Sequence, residues 1–156
     1  MPVTVTTRDT GYGALLKRLG LSEPKTDVTI GVHEAEGSEN DDESELTVAE
    51  IAAINEFGGP DNNPPERSWL RAWADETEAE NRKRLIKLMQ AVTTGKIVSK
   101  EQALEQFGTL AVAEIQKRIR GGIAPEQADS TAARKGSATP LIDSGQFWGS
   151  ITYKVT

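Results

Sequence analysis

Apolar positions recur along the chain with two periods, and each change of period marks an element. Val28, Ile30 and Val32 alternate with Thr29 and Gly31, and Ile151, Tyr153 and Val155 alternate with Ser150, Thr152 and Lys154. A period of two is what a half-buried strand shows. The two stretches predict an antiparallel pair, residues 28–32 with 150–155. Val3, Val5 and Thr7 alternate with Thr4 and Thr6 and predict one more short strand. Elsewhere helical spacing takes over. Tyr12, Leu15, Leu16 and Leu19 fall at i, i+3, i+4 and i+7, a two-turn amphipathic helix that Asp9 or Thr10 would cap and Gly20 would stop.

Thr47 and Glu50 form a capping box ahead of a helix whose side carries Val48, Ile51, Ala52 and Asn55, widened by Ile54 and Phe57. Gly58 ends it, and Pro60 to Pro65 is a rigid connector. Ser68 would cap a long helix, residues 68–93, with Trp69, Leu70 and Trp73 at its start and Leu85, Leu88, Met89 and Val92 near its end. Its middle is almost all charged, with acids first (Asp75, Glu76, Glu78, Glu80) and bases later (Arg82, Lys83, Arg84, Lys87). That order suits the helix dipole and offers Glu78–Arg82 and Glu80–Arg84 pairs against an unfavourable Lys83–Lys87. A solvated middle between apolar ends is expected of a helix that projects past its own domain. Ser99 and Gln102 open a second long helix, 99–120, with Leu104, Phe107, Ala111 and Ile115 as one seam. Ala103, Leu110, Ala113 and Ile119 flank that seam, and Gly121-Gly122 terminates the helix.

Two stretches have nothing to bury. Glu34 to Glu45 carries seven acids and no aliphatic larger than Ala, so residues 34–46 read as an exposed, acidic, mobile loop. Residues 123–139, rich in small and polar side chains, read as a second flexible loop. The fold class is therefore α+β: a small antiparallel β-sheet packed against a long two-helix hairpin, with short helices and long loops, in one domain spanning 1–156.

Composition narrows the chemistry. With 18 basic against 24 acidic residues the formal charge is -6, which argues against nonspecific grip on duplex nucleic acid. No cysteine is present, and no run approaches the roughly 20 apolar residues of a membrane span. The N-terminus lacks a secretion signal's basic and apolar regions, so a protein made in the cytoplasm is expected. His33, the lone histidine, sits at a strand end with no nucleophile elbow elsewhere, so a Ser-His-Asp site is not expected. A calcium loop at Glu39 to Glu43 would lack both the loop glycine and the closing Glu. Gly58-Gly59 and Gly121-Gly122 follow helices instead of opening them, so they are caps and not phosphate cradles. Trp69, Trp73 and Trp148 suit core or interface anchors better than base-stacking platforms. Paired carboxylates among so many acids keep a hydrolase in view as a rival. No catalytic residue, cofactor or metal is expected.

Three segments together suggest a family. They are Ala52-Ala53-Ile54-Asn55-Glu56-Phe57-Gly58, then Pro64-Pro65-Glu66-Arg67-Ser68-Trp69-Leu70-Arg71, and last Lys135…Thr139-Pro140-Leu141-Ile142-Asp143-Ser144-Gly145-Gln146 running into Ser150–Val155. In this order, with helices between, the chain resembles the neck or tail-completion (head–tail joining, virion morphogenesis) proteins of tailed bacteriophages. It differs at Ser68-Trp69, where Pro-Phe is usual, at Ser144 for Thr, and in the added aromatic of Phe147-Trp148. The resemblance implies a non-enzymatic virion protein forming a homo-oligomeric ring, six-fold in the virion, at the head–tail junction. Such a ring meets a head-completion or connector protein on one side and a tail terminator or tail tube on the other, with DNA only passing through. A tail terminator is the nearest alternative; a nucleic-acid-binding module is more remote. On this reading Phe57, Trp69, Leu70, Trp73, Phe107, Leu141, Phe147 and Trp148 form the core and its docking edge. Glu39, Asp41, Asp42, Glu43, Lys135, Thr139 and Asp143 lie in the partner-contact loops.

Overall fold

The computed structural model describes residues 11–20, 26–33, 46–125 and 146–156. Helix α1 spans Tyr12–Arg18, strand β1 Val28–Val32, helix α2 Val48–Phe57, helix α3 Arg71–Thr93, helix α4 Lys100–Arg120, the short helix α5 Gln146–Ser150 and strand β2 Ile151–Val155. The architecture is α+β: a two-stranded antiparallel sheet against a helical hairpin. The expected strand at residues 3–7 and the caps Asp9 and Thr10 lie outside the described residues. So do the acidic run 34–45 and residues 126–145.

The strands pair in the register Val28↔Val155, Ile30↔Tyr153 and Val32↔Ile151, with Asp27 and Thr156 exchanging both backbone bonds at 2.9 and 3.0 Å. Their apolar sides therefore share one face. That face packs on α4, whose seam of Leu104, Phe107, Ala111, Ile115 and Ile119 is buried along its length. Contact is closest at Gly108. A Cβ there would stand 2.4 Å from Cγ of Tyr153, so only glycine lets the strand lie this near the helix. The Tyr153 hydroxyl and Thr109 Oγ1 then meet at 3.2 Å.

Helix α3 runs beside α4, so it does not project past the domain as expected, while seven of the eight charges of its middle are exposed, as a solvated middle requires. Two of its charges also reach across the hairpin. Arg84 Nη1 lies 2.8 Å from Glu114 Oε1, and Arg118 Nη1 donates to Glu76 at 2.5 Å. The Trp73 indole also donates to Glu114, at 3.2 Å. Asn81 is buried, donating to Thr77 Oγ1 at 2.8 Å and accepting from Arg84 at 3.1 Å. A charged segment can thus be an interhelical seam when its partners sit on the facing helix. The two expected pairs along α3 form as well, Arg82–Glu78 at 3.1 Å and Arg84–Glu80 at 2.6 Å.

Other details differ from the periodic reading. Leu110, expected to flank the seam, is 41% exposed. Gln102 accepts from the amide of Val98 instead of Ser99, although Ser99 Oγ does accept from the Gln102 amide. Residues 123–125 are irregular, as the expected loop from 123 requires, yet they are tied down: Ile123 belongs to the core and Pro125 O accepts from Arg67 Nε at 2.8 Å. Helix α1 buries none of its residues; Arg18 fastens it to the end of α3 by donating to the carbonyls of Val92 and Thr93. A cation on the last carbonyls of a helix faces the negative end of its dipole.

Candidate functional site

The described residues concentrate their polar geometry at one place, where the end of α2 meets the start of α3. Helix α2 opens with the expected capping box: Glu50's amide bonds Thr47 Oγ1 at 3.3 Å, and Thr47's amide bonds Glu50 Oε2 at 2.8 Å. Its buried stripe is Val48, Ala52 and Glu56, four residues apart. The third position of that stripe is an acid, and Glu56 is only 5% exposed.

A buried carboxylate must be matched by donors. Glu56 Oε2 accepts from the amides of Trp69 and Leu70, both at 2.9 Å. Its Oε1 accepts from the Arg71 amide at 3.1 Å, Arg71 Nε at 2.9 Å and Ser68 Oγ at 2.8 Å. Burial by itself would raise the Glu56 pKa, but the bonds from Leu70, Ser68 and Arg71 outweigh it and hold the carboxyl below its usual value. It is ionised at neutral pH, and its lone pairs are taken.

Glu56 is therefore the N-terminal cap of α3, supplied from another helix. The opening amides of a helix have no intrahelical acceptor and carry the positive end of its dipole, so an anion there satisfies both needs. This revises the expected role of Ser68. The helix begins at Arg71, not at 68, and Ser68 Oγ accepts from the Ala72 amide at 3.1 Å while the carboxylate takes the other three.

The three segments that carry the family resemblance meet at this node. Asn55 O accepts from the Arg67 amide at 2.7 Å, and Ala52 O accepts from the Trp69 indole at 3.2 Å. Phe147, from the third segment, packs edge-on against Trp69 with ring centroids 5.3 Å apart at 82°. Gly59 closes the connector; its amide bonds Pro64 O at 2.8 Å, and a Cβ would lie 2.3 Å from Asn63 O.

Of the side chains singled out in the sequence, Trp69, Trp73, Phe107 and Phe147 lie in the core, and Leu70 and Trp148 pack partly buried against it. Trp148 turns to α4. Its indole donates to Gln116 O at 3.4 Å, and the Arg120 guanidinium sits 5.5 Å above its ring. Phe57 departs from the expected core. It is 65% exposed because the same turn of α2 spends its inner position on Glu56, and the Arg71 guanidinium stacks on it at 4.9 Å. Leu141, Glu39, Asp41, Asp42, Glu43, Lys135, Thr139 and Asp143 lie outside the described residues.

Sequence reasoning assigned no role to Glu56, Arg67, Asn81 or Gly108. Glu56 did leave a trace: an acid in register with Val48 and Ala52 on a stripe that must be buried.

Among the described residues no group of three or more His, Asp or Glu could hold a metal ion, and no helix is long and apolar enough to cross a membrane. Comparison with protein-family models, curated proteins and solved structures returns no match.

Proposed function

We propose that the chain is a structural component of a tailed-phage virion that forms a ring at the head–tail junction, joining the capsid connector to the tail. What carries this reading is the convergence at one node of three segments, two of them neighbours in sequence and the third near residue 147. The helix end at Ala52–Gly58, the Arg67-Ser68-Trp69-Leu70-Arg71 segment and the aromatic end of the C-terminal segment interlock through Glu56 and Trp69. In a set of segments that recur together in the neck proteins, such interlocking gives each a reason to accompany the others. The bonding saturates Glu56 and leaves it a scaffold, as a ring component requires and as a general acid or base does not. Exposed Phe57 beside Arg71 supplies an aromatic–cation edge of the type enriched at protein interfaces. The excess of acids over bases, a formal charge of -6, would repel DNA phosphates in the lumen of such a ring and let a duplex slide.

The test is a phage with an early stop in this reading frame, its lysate viewed by electron microscopy. Filled heads and separate tails of normal length are expected, with joining restored when the purified chain is added. Tails of uncontrolled length would assign the chain to the tail terminator instead. Intact, infectious particles would overturn both readings.

A further inference from the structure

Helix α1 has seven residues and buries none of them. Leu15 and Leu16 are half-buried, and among the described residues neither packs against the core. A helix this short does not hold itself, since isolated helices under roughly 12 residues are marginal in water. Its N-cap is Gly11, which makes no side-chain cap bond. The contacts that fix α1 must therefore come from another element.

Arg18 supplies them. Its Nη2 donates to the carbonyls of Val92 and Thr93, the latter at 3.0 Å, at the end of α3. The last carbonyls of a helix lack intrahelical donors and carry the negative end of its dipole, so a guanidinium suits both. Gly95, at φ +79, leaves the room for it; a Cβ there would stand 3.3 Å from Arg18 Nη2. The seat is not complete, because Arg18 Nε is buried without an acceptor among the described residues. A buried donor without a partner carries a desolvation cost that disappears when water reaches it. Bonds that favour the docked helix are thus set against a cost that favours its release.

We propose that α1 is a releasable strap: Arg18 latches it to the end of α3, and it swings clear about Gly20 while the sheet and the α3–α4 hairpin stay folded. Gly20 suits a pivot. It is buried against the start of α4, with Lys100 Cδ 3.3 Å from where its Cβ would be, and its φ of +64 is a conformation that glycine adopts without strain. No residue of α1 belongs to the core cluster, so release leaves the core closed. What opens is the cavity of about 500 Å³ that Ala14, Lys17 and Arg18 line together with Val98, Ser99 and Glu101. The carbonyl end of α3 is bared with it. The inference concerns the fold alone and holds whether or not the chain works at a phage neck.

The test is residue-resolved amide hydrogen exchange on the full chain, at several urea concentrations below the unfolding transition. Leu15 and Leu19, whose amides bond Gly11 O and Leu15 O at 3.0 Å, report on the strap, and Ile115 of α4 reports on the core. Leu15 and Leu19 are expected to be protected, but at least about 100-fold less than Ile115. Their protection should barely change with urea, because release exposes little surface, while that of Ile115 falls. Arg18→Ala is expected to remove at least about tenfold of the protection at Leu15 and Leu19 and to leave Ile115 unchanged. Lys17→Ala, which removes the neighbouring cation of the same helix, should leave all three as they were. Protection at Leu15 and Leu19 that equals Ile115's and falls with the same urea slope overturns the proposal, since α1 then opens only with the whole fold. Random-coil exchange at both in the unaltered chain overturns it too, as does an Arg18→Ala chain that keeps their protection or loses Ile115's.

Discussion

At the scale of single residues, Glu56 shows how a side chain of the wrong polarity for its place becomes the best-connected group in the molecule. It sits where the helical stripe demands an apolar residue, and five donors from Ser68 to Arg71 justify it. Removing a buried acceptor strands its donors, which costs more than the bond was worth. Glu56→Ala is expected to lower unfolding free energy by about 3 kcal/mol, measured by urea denaturation. Glu66→Ala, which removes an exposed Arg71 partner, is expected to cost less than about 1 kcal/mol. Equal effects would mean that the buried node has no special weight.

At the scale of elements, the sheet is held to the helices by proximity that one missing side chain permits. Glycine inside a helix costs about 1 kcal/mol relative to alanine, so Gly108→Ala would stabilise an isolated α4. In the folded chain the added methyl meets Tyr153 at 2.4 Å and forces the strand off the helix. The net expectation is destabilisation by roughly 1–3 kcal/mol. Adding Tyr153→Ala removes the clash, so in a double-mutant cycle the two changes should cost less together than their sum. Strict additivity would show that Gly108 does not set the helix–sheet distance. The α3–α4 hairpin uses a different device, the Glu76–Arg118 and Arg84–Glu114 bridges with buried Asn81, and these specify which turns of the two helices face each other.

At the scale of the whole molecule, the ionised carboxylates tie the fold to pH. Burial opposes ionisation of Glu56 and Glu114, but their donors prevail; bonds from Thr47, Arg118 and Ser99 act in the same direction on exposed Glu50, Glu76 and slightly buried Glu101. All five have pKa values depressed below 4.5 in the folded chain. The unfolded chain therefore binds more protons in acid, and the stability these groups contribute is present above that ordinary value and lost as pH falls through the folded ones. Urea midpoints are expected to hold for these groups down to about pH 5 and to decline below it, with a shallower decline in Glu56→Gln. An acid limb that is as steep in Glu56→Gln would place the linkage elsewhere.

Much of this molecule was legible in its residues. Periods of two and 3.6 located both strands and the helices, because the alternation of burial on a strand and the stripe on a helix are local consequences of backbone geometry. The pairing of residues 28–32 with the C-terminus followed because each strand had one apolar face to cover. The charged middle of α3, by contrast, read as projecting past the domain, since one-dimensional spacing shows partners at i+4 but not those on a helix 30 or more residues away. Glu56, Gly108, Asn81 and exposed Phe57 belong to that second class. Whether an acid is an exposed charge or a helix cap, and whether a glycine is a flaw or a point of contact, depends on what stands opposite, and only the tertiary structure sets that.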